Sequence, residues 1–348
     1  MPVAEHEGEL YANTDMDGIQ HVGNFQGMEE RLLTPSDPHF LHLISEQGVA
    51  DVEDELSDAD FEALVEGYRH FLEIDPETVD ATAHRVDWRR SFNAGQKRTE
   101  LKLGEDGKRE KDPKNTFHFS EHSTIHWLSD QFTASPEFKD WVRLGQKVQD
   151  ESNQRFGEIL GEMERVFPGL RQLYYPEGVI PVSFLRLVIY DLTREEYEDV
   201  PMFDPDNPNA EQTADFGITA GWHVDSAGWT RQKRATRPGL VVAPSNIPVP
   251  DWAGDGTDHG WMHNDLEVVQ APNNPGMAKL FPSVGHYQMY GDRSQFRPLL
   301  HGAAEIPAAG LDHEERVSLI HFHDMPYVNF ASAWKAGTHP EFTFRPKK

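Results

Sequence analysis

The segment Gly221-Trp-His-Val-Asp-Ser-Ala-Gly228 sets an imidazole, His223, two residues before a carboxylate, Asp225. In an extended strand that spacing turns both side chains to one face. An imidazole beside a carboxylate is a donor pair suited to Fe(II), Mn(II) or Zn(II). A third ligand from a later strand would complete two histidines and one carboxylate on one face of a metal. Such a triad leaves three positions open for an organic ligand and dioxygen. His301, in Leu299-Leu-His301, is the candidate, with His286, His321 and His323 as rivals. Fifteen residues beyond His301, Arg316 and Ser318 share one face of another predicted strand. A guanidinium with a neighbouring hydroxyl is suited to grip a carboxylate. The Leu-Leu-His start and that downstream Arg-x-Ser favour His301 over these rivals, and His321 and His323 are expected to end a strand at the surface or core edge. A second His-x-Asp, His263-Asn-Asp265, lies in a long polar connection and reads as a loop.

The elements that must position these residues follow from periodicity. Residues 182–190 alternate apolar and polar, and short runs at 217–224, 239–242, 266–270, 286–290 and 316–322 follow. Gly, Pro and Asn clusters separate them, which describes an antiparallel sandwich or jelly roll. Ahead of these strands a long helix is predicted. Ser135 is its N-cap, Pro136 its first residue, and one apolar stripe runs from Phe138 to Phe167, where Pro168-Gly169 stops it. Gly145, Gly157 and Gly161 weaken this helix or let a neighbour approach closely. A shorter amphipathic helix follows Ser57, with Phe61, Leu64, Val65, Tyr68 and Leu72 on its apolar face. Residues 85–114, with a Gly104–Gly107 turn, read as an exposed connection, and 243–264 as a long insert. The expected fold is therefore mostly β with a helical N-terminal half (α+β). Residues 1–178 would pack on a β core formed by 179–348, and they are not clearly a domain of their own.

Composition bounds the chemistry. The chain has 348 residues, 37 % hydrophobic and 11 % aromatic, which is enough to bury a large core. A formal charge of −27 opposes nonspecific binding to nucleic acid or an anionic membrane. Cysteine is absent, which excludes disulfides, thiolate nucleophiles, zinc fingers and iron–sulfur clusters, and leaves 18 histidines and many carboxylates for chemistry. No apolar run reaches the roughly 18 residues of a membrane span, and the acidic N-terminus has no apolar signal region. A cytoplasmic protein is expected, of open oligomeric state. Residues 1–84 carry 21 acidic and two basic side chains, read as a solvated acidic face. The basic cluster Arg231, Lys233, Arg234 and Arg237 reads either as a solubilising hairpin or, together with Arg186, as a receiver for an anionic substrate. Trp222, Trp229, Trp252 and Trp261 are core residues or pocket lining.

The order His-x-Asp, distal His, Arg-x-Ser resembles the Fe(II)/2-oxoglutarate-dependent dioxygenases of the isopenicillin N synthase-like group. Leu185-Arg-Leu-Val-Ile-Tyr190, Pro238-Gly-Leu240, Leu266-Glu-Val268 and Lys114-Asn-Thr-Phe-His-Phe119 resemble further stretches of that group. The resemblance implies a double-stranded β-helix (jelly roll, cupin-like) backed by the long helix. It also implies Fe(II) on His223, Asp225 and His301, and 2-oxoglutarate on Arg316 and Ser318 with help from Tyr190. Arg186, Arg231 and Phe117 are the candidate substrate contacts. The implied reaction oxidises a small molecule with dioxygen, giving succinate and carbon dioxide; the carboxylate at Asp225 favours hydroxylation over halogenation. Two alternatives stay open: an iron-dependent oxidase of the same fold that uses no 2-oxo acid, and a non-catalytic jelly-roll binding protein.

Overall fold

The computed structural model describes residues 31–87, 92–99, 102–103, 109–111, 114–175, 182–190, 218–225, 227–243, 269–283, 285–286, 295–304 and 316–325. The turn at 104–107, the insert beyond Ala243, the motif at 266–268, the run 287–290, His263, Asp265, Trp252 and Trp261 lie outside these residues.

Six helices are described: α1 (His39–Gln47), α2 (Asp58–Ile74), α3 (Pro76–Ala81), α4 (Glu121–Leu128), α5 (Pro136–Met163) and α6 (Leu170–Tyr174). The predicted caps are in place. The Ser57 hydroxyl accepts from the Asp60 amide and the Ser135 hydroxyl from the Phe138 amide, each satisfying an orphan donor of a first turn. α5 stops at Met163, a turn earlier than its apolar pattern, because Val166 and Phe167 are buried from a turn rather than from helix.

Fourteen strands are described: β1 (Ala50–Glu53), β2 (His84–Asp87), β3 (Phe92–Thr99), β4 (Lys102–Leu103), β5 (Arg109–Lys111), β6 (Lys114–Ser120), β7 (Val182–Tyr190), β8 (Ile218–His223), β9 (Trp229–Ala235), β10 (Leu240–Ala243), β11 (Val269–Gln270), β12 (Met277–Pro282), β13 (Leu300–Ala304) and β14 (Arg316–Asp324). They form an eight-stranded sheet ordered β1-β12-β9-β14-β7-β6-β3-β2, a four-stranded sheet ordered β11-β10-β13-β8, and the small ribbon β4-β5. Every adjacent pair in the two large sheets is antiparallel. The class is α+β.

The N-terminal half is less helical than its sequence suggests. β1, β2, β3 and β6 all come from before residue 121 and build half of the large sheet. Their lysines, arginines and asparagines conceal the strand pattern, and residues 92–99 form a strand where an exposed connection was expected.

Side chains on the large sheet divide by parity. Leu185, Leu187 and Ile189 of β7, Val317 and Leu319 of β14, and Phe117 and Phe119 of β6 form one core with Phe138, Trp141 and Val142 of α5. Close approach depends on Gly145, where a Cβ would lie 2.2 Å from the Phe119 ring. The other half of α5 packs Phe156, Ile159, Leu160 and Met163 against Trp229 and Leu280. The opposite face of the large sheet looks across a cavity to the four-stranded sheet. No helix among the described residues is long and apolar enough to cross a membrane.

Candidate metal centre

β8 and β13 are neighbours, and their register pairs His223 with His301. The two rings stand 4.4 Å apart between centroids. Asp225 follows β8 by two residues and comes between them: its Oδ1 is 3.6 Å from His223 Nε2 and its Oδ2 3.6 Å from His301 Nε2. One ligand atom from each residue lies within 4.8 Å of the others. Distances of this size suit donors grouped around an ion about 2 Å from each. Two imidazole nitrogens with one carboxylate oxygen on one side form a donor set matched to a first-row divalent metal, iron(II) included.

Surrounding groups aim these donors. Nδ1 of His301 is 3.0 Å from the Leu299 carbonyl, so it carries the ring hydrogen and leaves Nε2 as the free lone pair. The Phe281 ring packs 4.9 Å from the same imidazole. The Thr230 hydroxyl donates to Asp225 Oδ2 at 2.7 Å. Thr230 has one hydroxyl hydrogen, so at 2.9 Å from Ser283 Oγ it accepts from that serine. Asp225, Thr230 and Ser283 are all buried, and His223 is half-buried at the open side.

The facing wall comes from alternate residues of the large sheet. β14 contributes Arg316, Ser318, Ile320 and Phe322, β7 contributes Arg186, Val188 and Tyr190, β6 contributes Lys114 and Thr116, and β9 contributes Thr230 and Gln232. The cavity between the walls holds about 570 Å³, mouth included. Arg316 is 3 % exposed, with its guanidinium carbon 5.2 Å from the Tyr190 ring centroid. The Ser318 hydroxyl is buried with no hydrogen-bond partner among the described residues, so it is open to a ligand. Gly239, at φ 156°, passes so close that a Cβ there would lie 2.6 Å from Arg316 Nε. A side chain at 239 would push the guanidinium away.

His223, Asp225, His301, Arg316, Ser318, Tyr190 and Arg186 thus meet in one cavity. Two expected substrate contacts do not. Phe117 is fully buried on the other face of β6, packed against Trp127 and Trp141. Strand parity gives the cavity to its neighbour Thr116. Arg231 is also fully buried on the helix side of β9, donating to Glu55 Oε2 at 2.7 Å and to the Ser152 carbonyl at 3.1 Å. Beside it Lys233 donates to Asp54 Oδ1 at 2.6 Å and also pairs with Glu55, while Arg234 pairs with Asp58. The Arg231, Lys233 and Arg234 part of the basic cluster is therefore neither a solubilising hairpin nor a substrate receiver. It is the counter-charge for part of the acidic N-terminal stretch, which is correspondingly not all solvated. Burial would raise the Glu55 pKa, but Arg231 and Lys233 outweigh it and hold the carboxyl well below its usual range.

The rival histidines are elsewhere. His286 is enclosed by Phe167, Trp229 and Phe296, and burial pushes its pKa down to about 3. His321 and His323 are fully buried rather than at a surface or edge. They lie on the helix side of β14, 4.0 Å apart, with His323 stacked 3.6 Å over Phe156. Trp229 is likewise on that side. Sequence reasoning missed Lys114, Thr116, Thr230, Gln232 and Ser283 as parts of the site or its support. Parity within Lys114-Asn-Thr-Phe-His-Phe119 offered a signal for Lys114 and Thr116; nothing marked Ser283.

No family model matches the chain, and no curated protein matches it. Solved structures do. A full-length Neurospora crassa protein in complex with alpha-KG and 5-formyluracil shares 13 % identity, with a TM-score of 0.56 over 82 % of this chain and 77 % of that one. The same protein in complex with alpha-KG alone gives 12 % identity and a TM-score of 0.55, over 86 % and 88 % of the two chains. A Caulobacter crescentus protein assigned to the 2OG-Fe(II) oxygenase family gives 17 % and 0.51, over 82 % and 80 %. At these identities the likeness establishes a shared fold.

Proposed function

We propose that the protein is an iron(II)- and 2-oxoglutarate-dependent oxygenase that hydroxylates or otherwise oxidises a small molecule. Its core is a double-stranded β-helix formed chiefly by residues 179–348; from residues 1–178 the helices pack on it, and β1, β2, β3 and β6 extend its large sheet. The observation that carries this reading is a meeting inside one cavity. His223, Asp225 and His301 stand on one wall, and Arg316 and Ser318 on the wall opposite. The alpha-KG, or 2-oxoglutarate, held by the Neurospora crassa structures of the same fold supports the choice of cosubstrate.

His223, Asp225 and His301 would hold the metal, with the Thr230 hydroxyl and the Leu299 carbonyl keeping two of them aimed. Arg316 and the open Ser318 hydroxyl would bind the far carboxylate of 2-oxoglutarate, with Tyr190 packed on the guanidinium. The metal and 2-oxoglutarate, when bound with dioxygen, would supply an oxidant able to remove hydrogen from carbon, with succinate and carbon dioxide as coproducts. Leu240, Val188, Phe281 and Phe322 give the cavity apolar surface between its polar groups.

Aerobic incubation with Fe(II) and 2-oxoglutarate tests the reading. Succinate is the expected product, and His223→Ala should lower both succinate formation and iron retention at neutral pH. No succinate with any substrate tried, and an iron content indifferent to His223→Ala, rejects it.

A further inference from the structure

We propose that the substrate is an organic acid, received at its carboxylate by Arg186, whose guanidinium His118 positions. The proposal rests on the oxygenase reading and names the substrate class for that same site.

Two guanidiniums line the cavity at different stations. Arg316 pairs in register with Tyr190, whereas Arg186 pairs with Ile320, four residues further along β14. Four residues of strand span about 13 Å. A cosubstrate acid anchored at Arg316 and Ser318 therefore leaves Arg186 for another ligand. Arg186 is on the metal side, close enough to Asp225 to feel its charge.

The side chain is held on two sides. Its Nε–H donates to Nε2 of the buried His118 at 2.8 Å, so that imidazole is neutral and acts as acceptor. The Phe322 ring is 4.5 Å from the guanidinium carbon, and Phe184, stacked on Phe322, is 5.6 Å away. The edge bearing the terminal nitrogens is left to meet a ligand. A single planar edge matches one carboxylate in bidentate fashion; a phosphate would bring further oxygens. Ile320 and Phe322 supply apolar surface for the carbon skeleton.

Charge balance points the same way. Arg231 and Lys233, buried on the far side of the sheet, are matched by Asp54 and Glu55. Among the described residues no carboxylate forms a salt bridge with Arg186, and the carboxylate whose charge reaches it is that of Asp225. A divalent cation on the triad occupies that carboxylate and adds positive charge beside the guanidinium. An incoming carboxylate restores the balance.

The test uses the wild-type protein loaded with Fe(II) and 2-oxoglutarate, and a set of monocarboxylic acids each matched with its primary amide. Succinate formation is the readout. Acids should stimulate it and the matched amides should not. Against the best acid, Arg186→Gln should raise KM about 30-fold, the loss of one charge-assisted contact. His118→Leu should raise KM about tenfold at similar kcat, and His118→Gln, whose amide oxygen can accept the same Nε–H, should recover most of that loss. Three results overturn the proposal: no acid stimulates, amides stimulate equally, or Arg186→Gln leaves KM unchanged. If the visible band of the iron–2-oxoglutarate complex still forms, such a failure falls on the acid alone; if the band is missing too, the oxygenase reading fails with it.

Discussion

Thr230 touches no expected ligand of the metal except Asp225, yet its hydroxyl fixes which way that carboxylate points. Removing such a support typically costs 10- to 100-fold in metal affinity. Thr230→Val should therefore weaken Co(II) binding by about tenfold in a spectroscopic titration while the fold stays intact; unchanged affinity would show that Asp225 needs no such support. Gly239 works from the other end of the cavity. Gly239→Ala should displace Arg316 and raise the 2-oxoglutarate concentration needed for half-maximal turnover by about tenfold, as expected for one weakened charged hydrogen bond. An unchanged requirement would mean that Arg316 does not contact the cosubstrate. At this scale the sequence was informative wherever spacing encodes geometry. His-x-Asp reads as one face of a strand, and Arg-x-Ser as one face of another. It misled at Phe117 and Arg231, whose types fit a substrate pocket but whose parity sends them to the opposite face.

β14 carries both faces of the molecule in nine residues. Arg316, Ser318, Ile320 and Phe322 line the cavity, while Val317, Leu319, His321 and His323 face the helices. Neither ring nitrogen of His321 or His323 has a hydrogen-bond partner among the described residues. Burial, with Arg231 and Lys233 nearby, holds both pKa values well below that of a free imidazole, and burial does the same to His286. The unfolded chain therefore binds protons near pH 6.5 that the native chain refuses. Stability is complete above pH 6.5 and is lost as pH falls, at up to about 1.4 kcal/mol per pH unit for each such group. The urea midpoint should drop steadily from about pH 6.5 to about pH 5, and His321→Leu should flatten that slope; a level profile would show these rings protonated in the fold. The β7 and β14 strands were legible because apolar residues alternate along them. β9 was not, since Arg231 and Lys233 occupy its buried face, and their partners Asp54 and Glu55 are about 175 positions away. No local pattern shows a pairing that long-range.

Across the whole molecule, acidic side chains from β1 to the first residue of α2 fasten this part of the chain to β12 and β9. Asp51 pairs with Lys279 of β12, and Asp54, Glu55 and Asp58 pair with Lys233, Arg231 and Arg234 of β9. Breaking a buried ion pair from one side leaves a charge uncompensated, at a cost of about 3–5 kcal/mol. Glu55→Gln should lower stability to urea by about 3 kcal/mol, and the double change Arg231→Met, Glu55→Met should recover part of it; a loss below about 1 kcal/mol would make the clasp a surface ornament. The sheets, the clasp and α5 together bring residues as distant in sequence as His223 and Arg316 to one cavity, and the claim that this cavity holds iron and a 2-oxo acid is open to direct measurement. Anaerobic titration of the Fe(II) protein with 2-oxoglutarate should raise a visible metal-to-ligand charge-transfer band that saturates at one equivalent. His301→Ala should abolish the band, and Arg316→Met should require more 2-oxoglutarate to reach it. Iron bound with no such band, at any concentration of 2-oxoglutarate, would contradict the account.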